Sequence, residues 1–99
     1  MRMMMKVSIP IEAANKAVRD GSVKEIMRTT LEALRPEAAY FFPAEEGRTM
    51  LLFVDVKEPS DIPAMGEPLF QGLSARISFT PVMNLQDFQA GMAKLARSS

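Results

Sequence analysis

Apolar side chains recur at every second position from Arg2 to Ile9, with Met3, Met5, Val7 and Ile9 on one side and Arg2, Met4, Lys6 and Ser8 on the other. A period of two predicts a half-buried strand, which Pro10 closes. From Ile11 the spacing turns helical: Ile11, Ala14 and Val18 share a face, and Asp20-Gly21 supplies a stop. Ser22, with Glu25 three residues on, predicts a new helix start by reciprocal capping. Its apolar stripe is Val23, Ile26, Met27, Thr30, Leu31 and Leu34, ended by Arg35-Pro36. Ala38 to Pro43 predicts an aromatic strand, Ala44-Glu45-Glu46-Gly47 a hairpin turn, and Arg48 to Val56 the returning strand. Met50 to Val54 is apolar on both faces, so both faces should be covered. After Glu58-Pro59-Ser60-Asp61, Ile62, Met65, Leu69 and Leu73 share a helix face, with a kink or a second short turn expected at Pro68. Ser74 to Met83 alternates again. Asn84, with Asp87 at the third position after it, caps a last helix whose stripe is Leu85, Phe88, Met92 and Leu95. Arg97-Ser98-Ser99 is expected to fray.

The order strand, broken helix, strand, strand, helix, strand makes two βαβ halves joined by a central hairpin, the ferredoxin-like split βαβ motif. The expected architecture is a single α+β domain over residues 1–99. It has a four-stranded antiparallel sheet, helices on one face and an added C-terminal helix. Alternation gives the helices Met3, Met5, Val7, Met50, Leu52, Val54, Ile77 and Phe79. The opposite face holds Met4, Leu51 and Phe53, with Tyr40 or Phe41, among Lys6, Ser8, Thr49, Asp55, Arg76, Ser78 and Thr80. Left in water, its apolar centre would expose on the order of a few hundred Å². A symmetric homodimer with two such sheets face to face, a dimeric α/β barrel, buries that patch and encloses a lined cavity. A monomer with a tolerably polar sheet face is the alternative.

Composition narrows the chemistry. Twelve Lys+Arg balance twelve Asp+Glu in 99 residues, with no His and no Cys. Zero net charge offers no electrostatic footprint for nucleic acid or an anionic membrane, and the strand aromatics lack the basic surround that base stacking requires. Without Cys there is no disulfide framework or thiolate nucleophile, and without His the commonest general base is missing. No metal site or cofactor is expected. The nine Met residues read as core filling, since Met3, Met4 and Met5 point alternately to opposite sheet faces. The opening Met-Arg-Met-Met-Met-Lys resembles the charged start of a leader, but no apolar central region follows. Met3 and Met5 offer alternative starts, and a cytoplasmic location is the default expectation.

Gly66-Glu67-Pro68-Leu69-Phe70 followed by Ile77-Ser78-Phe79-Thr80-Pro81-Val82 resembles the closing half of muconolactone-isomerase-like proteins. In those, a leucine-proline-leucine-phenylalanine helix end precedes a strand closing on threonine-proline-leucine. They belong to the dimeric α/β-barrel superfamily of ferredoxin-like domains, and small uncharacterised bacterial proteins are similar too. The resemblance covers about residues 59–83 and implies the fold, a homodimer and cofactor-free isomerase-like chemistry on a small organic acid or lactone.

Proton abstraction beside a carbonyl needs a base, an acid and a group to hold the oxyanion. With no His, Asp55 or Lys6 would serve as base, Arg76 would grip a carboxylate with two prongs, and Tyr40 would donate a hydrogen bond. The same charges also suit cross-strand or inter-subunit ion pairs. Glu12 and Asn15 follow the first strand, where Asn15 could orient a ligand carbonyl or satisfy backbone groups. Glu45-Glu46 reads as a solvated hairpin tip. The expected function is therefore a homodimeric small-molecule-binding domain, isomerase-like if catalytic. The alternative is a non-catalytic dimerisation or sensor module.

Overall fold

β1 (Arg2–Ile9) lies inside the sheet, antiparallel to β3 (Gly47–Asp55) on one side and to β4 (Arg76–Pro81) on the other. β2 (Ala38–Ala44) completes the sheet beyond β3, giving the order β2-β3-β1-β4 with every pair antiparallel. This is the α+β, ferredoxin-like arrangement the element order predicts. The structure, a computed structural model, describes residues 1–98, so Ser99 of the expected frayed end lies outside the described residues.

The helical layer comprises α1 (Ile11–Asp20), α2 (Ser22–Leu34) and α3 (Ile62–Leu73). Met5, Val7, Met50, Leu52 and Val54 of the sheet form one buried cluster with Ala14, Ala17, Leu69 and Leu73 of the helices. The α1 face differs from expectation: Ile11 and Val18 are exposed, and the small Ala14 and Ala17 face the sheet. Small side chains let the helix lie close on the strands. The break falls at Gly21, whose φ of 81° belongs to the left-handed region. Ser22 lies within α2 and makes no cap; Asp20 Oδ1 instead accepts the Ser22 N–H at 2.9 Å, and Glu25 turns to Arg28.

A short 3₁₀ turn (Pro59–Asp61) leads into α3, which continues unbroken through Pro68, so no second turn forms there. Pro68 cannot donate to the Ala64 carbonyl four residues back, but both residues are exposed and water can serve that carbonyl. α4 (Leu85–Ser98) begins with the expected cap, in which Asp87 N–H donates to Asn84 Oδ1 at 2.8 Å and Asn84 N–H to Asp87 Oδ2 at 3.1 Å. It carries the helix through Arg97 and Ser98, where fraying was expected. No helix of the described residues is long and apolar enough to cross a membrane.

Candidate functional site: one corner of the open sheet face

Register decides which side chains share the face away from the helices. Tyr40, Leu51, Lys6 and Ser78 form one row across the four strands, and Phe42, Thr49, Ser8 and Arg76 form the next. Ala38, Phe53, Met4 and Thr80 form a third. The alternation read from the sequence is therefore in register, and the choice between Tyr40 and Phe41 resolves to Tyr40. Phe42 joins the same face.

Two expected site residues meet at one corner. Lys6 lies opposite Ser78, and Arg76 lies diagonally beyond it beside Ser8, a separation of about 7–8 Å for such neighbours. A cleft of about 430 Å³ opens over Lys6, Ser8, Glu46, Arg76, Ile77 and Ser78. A second of about 320 Å³ adjoins it over Ser8, Pro10, Ile11, Glu12, Glu46 and Arg76. Glu12 thus borders the corner. Among the described residues, no carboxylate pairs with the Arg76 guanidinium.

The third member of the corner is Glu46, which sequence reasoning set aside as a solvated tip. The hairpin turn is only Glu45-Glu46, because Ala44 already pairs with Gly47. So tight a turn folds Glu46 back over the sheet. Its carboxylate sits 3.3 Å from Lys6 Nζ, and Oε1 accepts the Ser8 hydroxyl at 3.4 Å. Its own backbone N–H, then the Lys6 ammonium and the Ser8 hydroxyl, hold the carboxyl below the usual glutamate range. The signal for this was the glycine at position 47, which permits a two-residue loop; the direction of the side chain had none.

The remaining candidates lie elsewhere. Asn15 Oδ1 accepts from Arg48 Nη1 at 3.0 Å at the helical side of the sheet, so it orients Arg48 and does not reach the corner. Asp55 lies at the far end of β3, paired with the Met1 ammonium at 2.9 Å, which holds its carboxyl low. Tyr40 shares the open face but is two strands from Lys6, with its ring edge-on to Phe53 at 6.4 Å. A larger cleft, about 770 Å³, opens at that far end over Arg2, Glu37, Asp55, Pro81, Met83 and Asp87. Its charges are already matched, Arg2 with both Glu37 and Asp87 and Asp55 with Met1. The smaller corner, with a free guanidinium, is the better place for an added anion.

The chain matches no family model, no curated protein and no solved structure. Its Pro68-Leu69-Phe70 string lies within α3, where Leu69 is wholly buried and Phe70 exposed, and Thr80-Pro81 closes β4. These residues build the fold and do not touch the corner. Among the described residues, no group of three or more Asp and Glu could hold a metal ion.

Proposed function

We propose that the chain is a homodimeric binding domain for a small organic acid, held at the Lys6–Arg76 corner of the open sheet face. The observation that carries this is Arg76, a guanidinium with no carboxylate partner beside hydroxyls of Ser8 and Ser78 in a cleft. A planar guanidinium fork takes a carboxylate in two parallel hydrogen bonds, and the Ser78 hydroxyl adds a donor, the Ser8 hydroxyl being given to Glu46. Of the two expected bases, Lys6 is paired with Glu46 and Asp55 lies at the far end of β3 paired with the Met1 ammonium. That favours binding over isomerase-like turnover, the finer expectation drawn from the muconolactone-isomerase resemblance. The apolar rows beside the corner, Leu51, Phe53 and Met4, supply the surface that a second copy would cover.

Thermal-shift screening against small mono- and dicarboxylic acids and their lactones, followed by titration calorimetry on any hit, tests the assignment. Arg76→Ala is expected to weaken a carboxylate hit by about ten-fold or more, because a charged hydrogen-bond partner is lost. Unchanged affinity in Arg76→Ala for every ligand found would remove the anion-holding role. The corner would then be a subunit contact only.

A further inference from the structure

α4 is a helix without a floor. Arg2 of the sheet pairs with Asp87 in its first turn. The stripe expected to pack inward stays uncovered, with Leu85 69%, Phe88 51%, Met92 49% and Leu95 62% exposed. The molecule measures 57 Å along its longest axis, with the other extents 28 and 18 Å. Such elongation fits a sheet domain with the roughly 21 Å of α4 projecting from its end. The reciprocal Asn84–Asp87 cap and a connection of only Val82, Met83 and Asn84 fix the direction in which α4 leaves β4. A fourteen-residue helix is marginal in water without tertiary packing.

The stripe specifies what should cover it. Leu85, Phe88, Met92 and Leu95 are spaced three, four and three, the narrow seam that fits another helix. The positions flanking that seam are Gln89, Gly91 and Ala96, uncharged and mostly small, so a second helix can approach closely. Asp87, Lys94 and Arg97 lie on the outer side. The open sheet face and the seam together reach only the lower end of the area that a second copy of this chain would need. The open sheet face spans on the order of 400 Å², four strands wide and six paired residues long, about half of what each partner gives a stable interface. The α4 seam, about 21 Å long and 10 Å wide, adds on the order of 200 Å².

We infer that α4 of one copy packs seam to seam against α4 of a second copy, joining the sheet faces in one two-fold dimer. The inference rests on reading the chain as a homodimer, and charge exchange separates the two. The probes are two full-length variants, Phe88→Glu/Met92→Glu and Phe88→Lys/Met92→Lys, whose changes fall on exposed positions and leave the core intact. Circular dichroism confirms folding, and light scattering after size exclusion gives the mass. The expected result is a wild-type mass of twice 11.0 kDa, each variant alone at the single-chain mass, and an equimolar mixture restored to the doubled mass. Glu faces Lys across the seam in either relative direction of the helices. Variants that remain dimeric alone would overturn the inference and leave the sheet-face dimer standing. Monomeric variants that fail to pair when mixed would show α4 docking on another part of the partner, and would also overturn it. A monomeric wild type overturns both.

Discussion

Glu46 governs the electrostatics of the corner at the scale of single residues. It neutralises Lys6 and leaves Arg76 as the available cation, so an incoming carboxylate competes with Glu46 for Lys6. Glu46→Gln keeps the shape and removes the competing charge. Titration is expected to show about two- to five-fold tighter carboxylate binding, the range of an exposed ion pair. The same change has a sign in pH. Glu46 has a lowered pKa in the folded chain, so its stabilising effect is complete above the ordinary glutamate pKa and fades as pH falls through the depressed one. Acid unfolding followed by circular dichroism should therefore lose part of its acid limb in Glu46→Gln. A steeper acid limb in the variant would contradict the pairing.

The hairpin between β2 and β3 is the element that delivers Glu46, and Gly47 makes it possible. Its φ of 125° is one that side chains rarely adopt, and an added Cβ would lie 2.5 Å from the Ile9 carbonyl oxygen. Gly47→Ala is expected to lower stability by about 2–3 kcal/mol in urea unfolding. Gly72→Ala, whose Cβ would meet only the Ile26 side chain, nearest at its terminal methyl 2.9 Å away, should cost less. Equal effects would mean that the turn is not held by its backbone. The strands were legible in the sequence because their alternation has only two phases, but their paired register was not, and it is the structure that sets Met5 opposite Leu52 and Lys6 opposite Ser78. The helix breaks were legible at Gly21 and Arg35; Gly21 takes the left-handed turn its residue type favours, whereas Arg35 ends α2 in the left-handed region and not in the extended backbone expected before Pro36. What escaped was whatever depended on direction in space. Val18 looked inward by spacing yet faces out, Pro68 sits where a missing hydrogen bond is harmless, and Glu46 leans on a strand distant in sequence. The α4 stripe was legible as a stripe, but no periodicity says what covers it.

The two unpartnered apolar surfaces, the centre of the open sheet and the seam of α4, belong to one chain with no net charge. Neutral chains carrying exposed apolar patches associate readily, and a closed two-fold arrangement limits that association to a pair. Lys6, Arg76 and Glu46 lie on the open face, and in the proposed dimer a second copy over Leu51 and Phe53 would wall that corner into a cavity. The most direct measurement is the solution mass of the wild type beside Phe53→Lys, by light scattering at micromolar concentration, with circular dichroism to confirm that both are folded. A wild type at twice 11.0 kDa and a folded Phe53→Lys at 11.0 kDa are expected. A wild type at 11.0 kDa, or a variant that keeps the doubled mass, would contradict the sheet face as the pairing surface.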